Sequence, residues 1–197
     1  MLEQLIELDK ELLIYLNGLG SESWNGFFLY ITKQLNWWPY FIFLIFLLLK
    51  KISPKQFLVL ILILTLFFVF TDQMTNLVKN TVQRIRPLND PEVKDFLLFV
   101  GRATKSWSFF SGHASNSSGS TLILFLVLRK YYKYAFLVFL FPILFAYTRI
   151  YLGLHFPGDI LAGYLFGLLS GFGFYKLFCY LNNKYGLTDK QNKNAFI

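Results

Sequence analysis

The chain has 197 residues, 55% hydrophobic, 20% aromatic and only 15% charged, yet it carries a formal net charge of +8. Ordinary chains are roughly a quarter charged. This deficit, with 24 Phe, excludes intrinsic disorder and makes lipid the expected solvent for much of the surface.

In chain order, residues 2–17 set Leu2, Leu5, Ile6, Leu12, Leu13 and Leu16 against Glu3, Glu7, Lys10 and Glu11. This helical period has one apolar face and predicts an amphipathic helix, at the interface or packed on the bundle; the alternative is a sixth crossing. Glu3, Glu7, Asp9 and Glu11 are unlike the basic start of a secretory leader, so the membrane segments are expected to be permanent. Spans are predicted for Trp37 to Leu49, Gln56 to about Thr81, His113 to Leu128, Tyr134 to Tyr147 and Ile160 to Leu181. A crossing needs roughly 20 residues, and the first of these reaches that length only by borrowing from Phe27 to Gln34. The expected fold is all-α: a polytopic membrane bundle of five to six transmembrane helices with an N-terminal amphipathic helix, one domain over residues 1–197. In the last span Gly163, Gly167 and Gly171 recur every four residues beside Ser170 and Gly173, a ridge suited to close helix packing.

Alternating crossings put Lys50, Lys51 and Lys55, then Arg129, Lys130 and Lys133, then Lys184, Lys190 and Lys193 on one side, which the positive-inside tendency makes cytoplasmic. The other side receives the polar loop from about Asn80 to Phe110 and the turn from Arg149 to Gly158. That side is basic too, through Lys79, Arg84, Arg86, Lys94, Arg102, Lys105 and Arg149, but Asp90, Glu92 and Asp95 offset it, against Asp189 alone on the inner side. Positive charge split between two faces argues against a nucleic-acid partner.

Chemistry concentrates at the outer ends of the spans. Lys79 and Arg86 are seven apart, so they share a face if the helix persists, and two fixed cations there suit an anion; Pro87 then ends the helix. Snorkelling to lipid phosphates is the competing reading, and it explains Arg84, Arg102 or Lys105 equally well. Ser111-Gly112-His113 opens the next helix, where unpaired N–H groups and a glycine admit an oxyanion. Ser111 also suits a cap, and His113 is placed to donate a proton. His155 precedes Asp159 by four residues, one turn if the segment is helical, so the carboxylate can orient the imidazole as a nucleophile or general base. Two histidines, the single Cys179 and surrounding arginines oppose a metal cation and a disulfide framework, so no metal or other cofactor is expected.

These residues resemble the motifs of the type 2 phosphatidic acid phosphatases, whose fold is shared with the vanadium haloperoxidases. Lys79, six residues and Arg86-Pro87 match the first motif. Ser111-Gly112-His113 match the second, and Arg149, five residues, His155, three residues and Asp159 match the third. Two positions depart: Phe110 stands where the family usually has proline, and Thr148 where it usually has serine. Threonine keeps the hydroxyl, whereas Phe110 removes a rigid turn.

The resemblance implies a metal-independent lipid phosphohydrolase. In that scheme His155 attacks phosphorus, Asp159 stabilises the imidazolium, and His113 protonates the leaving oxygen. Lys79, Arg86, Arg149, Ser111 and Gly112 hold the equatorial oxygens. The substrate would be a lipid bearing a terminal phosphate or diphosphate: undecaprenyl diphosphate, phosphatidylglycerol phosphate, phosphatidic acid or lipid A. The expected location is a bacterial inner membrane, with the site on the periplasmic side. A phosphotransferase and a non-enzymatic lipid-binding or transport protein are the alternatives. A haloperoxidase is disfavoured because such relatives are soluble. The sequence leaves oligomeric state open.

Overall fold

The computed structural model describes residues 2–98 and 105–187. Arg102, Asp189, Lys190 and Lys193, which entered the charge reading, lie outside them. Among the described residues all regular structure is helical: α1 (Leu2–Gly18), α2 (Glu22–Ile31), α3 (Trp38–Leu49), α4 (Pro54–Val82), α5 (Gly112–Leu128), α6 (Leu140–Tyr151) and α7 (Pro157–Lys184). Short 3-10 turns precede α3 at Gln34–Trp37 and α6 at Ala135–Phe139.

Among the described residues, two helices are long and apolar enough to cross a membrane. One begins at Pro54, with mean hydropathy 2.3, and the other is α7, with mean hydropathy 1.4. At about 1.5 Å per residue, the 29 residues of α4 extend about 43 Å. Ser53 and Gln56 start α4 by capping each other's backbone N–H at 3.3 and 3.0 Å. The segment expected to lengthen the first span is a separate helix, α2. Its end is fixed where the Trp37 indole donates to the Ile31 carbonyl at 2.7 Å, and α3 then starts afresh around Pro39.

The centre of the bundle is the α5–α7 pair, with α4 packed on both and α6 on α5. The first half of α5 is built from small residues whose hydroxyls bond back to their own helix. Ser115 donates to the Gly112 carbonyl at 3.2 Å, Ser118 to Ser115 at 3.3 Å and Ser120 to Asn116 at 2.6 Å. With its hydroxyls satisfied internally, that face lets α7 approach through the glycine ridge read from the sequence. A Cβ on Gly167 would lie 2.3 Å from both the Ser115 carbonyl oxygen and the Ser118 hydroxyl, and one on Gly171 2.6 Å from the Gly119 carbonyl oxygen. Gly173 faces open space instead.

The N-terminal helix is present, and it packs against α6 and α7. Its inward stripe differs from the run of leucines. Leu13 and Asn17 are fully buried, while Leu5, Leu8, Leu12 and Tyr15 remain exposed. Asn17 donates to the Ile150 and Tyr151 carbonyls at 3.2 and 2.7 Å and accepts from the Leu98 N–H at 2.7 Å. Those bonds anchor α1 at the end of α6.

The basic turns after α3 and α5 meet at one end of the bundle, where the Lys51 ammonium lies 5.8 Å from the Tyr132 ring. At the opposite end α4 and α6 finish and α5 and α7 begin. Every residue singled out for chemistry lies there.

Candidate active site

The first motif forms by a different route from the one the sequence suggested. The helix α4 ends at Val82 because Gln83 adopts a left-handed conformation, φ 52°, while its N–H still bonds the Lys79 carbonyl at 3.0 Å. Arg86 is therefore not on a helical face shared with Lys79. It lies in extended backbone ahead of Pro87, the region the residue before a proline favours.

Extended backbone lets Arg86 turn inward, where it is 6% exposed. Its Nε donates to the Ser106 carbonyl at 2.8 Å, one terminal nitrogen to the Ser106 hydroxyl at 2.8 Å and the other to the Leu154 carbonyl at 3.1 Å. A guanidinium has five N–H donors, so these bonds leave donors for an anion while bracing the backbone before His155.

The Arg149 backbone performs a similar service. Its carbonyl accepts from the Leu154 and His155 N–H groups at 2.9 and 3.3 Å, closing a turn through Gly153 at φ +63°. A Cβ there would also approach Leu88 and Leu97 at 3.1 Å, so the turn favours glycine sterically as well as conformationally. The Arg149 side chain donates to the Thr32 hydroxyl at 2.8 Å, and the Thr148 hydroxyl lies 3.0 Å from the same oxygen. Thr148 thus supplies a hydroxyl at the position where the sequence departs from serine. The Arg149 Nε is buried with no hydrogen-bond partner among the described residues.

His155 is 1% exposed and precedes α7 rather than lying within it. The expected pairing still forms: its Nδ1 lies 3.4 Å from Asp159 Oδ2. That carboxylate oxygen also accepts from the Phe156 N–H at 2.9 Å and from the Ser108 hydroxyl, so α7 is capped by the group that faces the imidazole. With Nδ1 turned to Asp159, Nε2 is the ring nitrogen left for chemistry. Burial lowers the His155 pKa to about 4; the hydrogen bond and charge of Asp159 oppose the shift, and Arg86 and Lys79 reinforce it. The ring is neutral near pH 7.

The second motif completes the end of the bundle. Ser111 caps α5, its hydroxyl accepting from the Ala114 N–H at 3.4 Å, and its own N–H bonds the Asp159 carbonyl at 3.0 Å. Gly112, His113 and Lys79 line one cavity of about 440 Å3, with Thr75, Asp72, Asn76 and Asn116 further along it. His113 packs on Phe145 at 5.2 Å between ring centroids and lies within the fields of Arg149, His155, Lys79 and Arg86. Phe110, in place of the family proline, is 5% exposed and packs 4.9 Å from the Phe166 ring.

All eight residues read from the sequence therefore lie at one end of the bundle. Ser108, Ser106, Thr32 and Arg84 join them without having been singled out for the site. Arg84, read as equally compatible with snorkelling, donates to Asp159 Oδ1 at 2.8 Å. Its only sequence signal is a position two residues before Arg86, which in extended backbone places both on one side. Among the described residues, no group of three or more His, Cys, Asp or Glu gathers as a metal site.

The chain is 37% identical over 179 residues to a lipid A 4′-phosphatase of Bacteroides thetaiotaomicron, covering 89% of this chain and 79% of that one. It is 28% identical over 186 residues to a lipid A 4′-phosphatase of Porphyromonas gingivalis, covering 93% and 78%. Its fold superimposes on the crystal structure of a transmembrane PAP2 type phosphatidylglycerolphosphate phosphatase from Bacillus subtilis with a TM-score of 0.66 and 20% identity, over 92% of this chain and 87% of that one. Residues 54–183 match the PAP2 superfamily as a whole, a stretch that holds all three motifs from Lys79 to Asp159, and the chain belongs to that superfamily.

Proposed function

We propose that this chain is a membrane-embedded lipid phosphatase acting through a phosphohistidine on His155, with a phosphorylated lipid A type glycolipid as its substrate. One observation carries the chemistry: a buried, neutral imidazole backed by a carboxylate, at the bundle end where Lys79, Arg86 and Arg149 gather.

In this reading Nε2 of His155 attacks phosphorus in line with the departing lipid oxygen. As the N–P bond forms and the P–O bond breaks, the ring becomes cationic and Asp159 stabilises it. His113, carrying a proton taken up when the anionic phosphate binds beside it, gives that proton to the leaving oxygen. Lys79, Arg86, Arg149, Ser111 and the Gly112 N–H receive the three equatorial oxygens, and a phosphate oxygen would satisfy the buried Arg149 Nε. The N-termini of α5 and α7 add their positive dipole ends. His113, now neutral, removes a proton from water, which attacks phosphorus and frees His155.

The membrane placement belongs to the same proposal. Five crossings use α3, α4, α5, α6 and α7, with α1 at the interface, the basic turns on the cytoplasmic side and the site on the periplasmic side. The exposed Leu5, Leu8, Leu12 and Tyr15 of α1 then meet lipid. The substrate choice rests on the two relatives named lipid A 4′-phosphatases.

The test is phosphate release by the purified protein from lipid A, phosphatidic acid, phosphatidylglycerol phosphate and undecaprenyl diphosphate, with and without chelator. Release from lipid A in preference to the other lipids, unchanged by chelator, is expected. A better rate on a glycerophospholipid would overturn the substrate, and loss on chelation would overturn the mechanism.

A further inference from the structure

The site's carboxylate is held by Arg84, and Arg84 in turn by Asp9, which lies outside the residues matched to the superfamily. The Arg84 guanidinium bridges two carboxylates: one terminal nitrogen donates to Asp159 Oδ1 at 2.8 Å, the other to Asp9 Oδ2 at 2.7 Å. The second oxygen of Asp9 accepts from the Gly158 N–H at 2.7 Å, one residue before Asp159 in the first turn of α7. Gly158 leaves the room for this, since a Cβ there would lie 2.8 Å from Asp9 Oδ2. The same guanidinium lies 3.9 Å from the ring centroid of Phe156, beside His155. Asp159 is fully buried, and the side chains of Arg84 and Asp9 are only 22% and 14% exposed.

We propose that Arg84, anchored by Asp9 of α1, is a positioning residue that sets the orientation and the charge of Asp159 behind His155. This role rests on the phosphatase reading of the site. Oδ2 faces the imidazole, and with Oδ1 fixed by Arg84 the carboxylate plane cannot turn to trade its oxygens. Charge is the second effect. A guanidinium paired with Asp159 alone would neutralise the carboxylate that must stabilise the imidazolium. Sharing that cation with Asp9 leaves the three groups with a net negative charge. Arg84 thus supplies geometry and Asp9 preserves electrostatic pull. Further along the same helix, the bonds of Asn17 to the end of α6 and to Leu98 hold α1 in the register that this bridge needs.

The experiment compares kcat and KM of the purified full-length chain on a lipid phosphate for Arg84→Gln, Arg84→Lys, Asp9→Asn and the Arg84→Gln/Asp9→Asn pair. Lys10→Gln is the control: Lys10 follows Asp9 on α1, but its ion pairs are with Glu92 and Glu7 and do not reach the site. Misorienting a reacting group costs on the order of 100-fold, so Arg84→Gln should lower kcat about 100-fold with KM within about threefold. Asp9→Asn should lower kcat about fivefold to tenfold, and the pair should match Arg84→Gln, because neighbours in one network are not additive. Arg84→Lys, able to hold one carboxylate, should recover part of the loss, and Lys10→Gln should match the parent. Asp9→Asn preserves side-chain volume and carries the test if Arg84→Gln fails to fold. Loss of turnover in His155→Ala with unchanged kcat in Arg84→Gln and Asp9→Asn would overturn the positioning role alone. Full turnover in His155→Ala would overturn the site reading and this role with it.

Discussion

Both ends of the bundle carry cations and use them differently. At the basic end, Lys50, Lys51 and Lys133 are exposed, and their ammonium groups lie 4.3 to 5.8 Å from the rings of Phe46, Tyr132 and Tyr134. At the other end Arg86 is nearly inaccessible, Arg84 lies between two carboxylates, and Arg149 keeps a buried donor with no partner among the described residues. Counting cations does not separate these ends; what separates them is that the arginines of the second end are held by directional bonds. Lysines on flexible stems suit a hydrated or headgroup-facing surface, whereas arginines fixed by carboxylates, carbonyls and hydroxyls keep a set geometry.

On the proposed mechanism that contrast breaks most severely at His155. His155→Ala should abolish phosphate release, a fall of about 10⁴-fold or more, as for a lost covalent nucleophile, and His113→Ala should leave a trace, about 10²–10⁴-fold down. Initial rates on purified, folded protein check both. Lys79→Ala should lower kcat about 10²–10³-fold, on the scale of one lost transition-state donor, while Lys50→Ala at the other end should leave kcat unchanged in the same assay.

The packing beneath the site gives a second comparison. Gly167→Ala forces a methyl group against a backbone oxygen and should cost about 1–3 kcal/mol, seen as a lower thermal midpoint in detergent. Gly173→Ala, with nothing within 4 Å, should not shift it.

Acid probes the buried imidazole. Burial holds His155 near 4 when folded, while the unfolded side chain titrates near 6.5. Between these values only the unfolded chain takes the proton, so this residue's contribution to stability falls as pH drops below about 6.5. In a His113→Asn protein one histidine remains, and its ring resonance should stay in the neutral form down to about pH 5. A midpoint near 6.5 would contradict the burial argument.

Much of the site was legible because its motifs are short and local. Ser111-Gly112-His113 and His155 to Asp159 each span a turn or two, so spacing predicts their proximity. The route from Lys79 to Arg86 was not legible: helical period assumes continuity, and the left-handed Gln83 interrupts it. The Asp9–Arg84 bridge joins residues 75 apart, which periodicity does not register. Which residues of α1 turn inward was not legible for a related reason. Apolar period names a leucine stripe, but tertiary hydrogen bonding turns Asn17 inward beside Leu13 and leaves Leu5 and Leu12 outside. The all-helical character followed from composition, because long apolar runs in lipid must satisfy their backbone groups internally.

The glycine and serine contact between α5 and α7 also bears on how the enzyme tolerates its surroundings. Its teeth interlock at backbone distance, and the Ser111 N–H ties the start of one helix to the Asp159 carbonyl of the other. Thinning or thickening of the bilayer acts first on the lipid-facing helices, whose tilt can change. The interval between His113 and Asp159 is set by a joint with no room to slide, so on the proposed mechanism the side chains around the phosphate keep their spacing as the membrane around them changes.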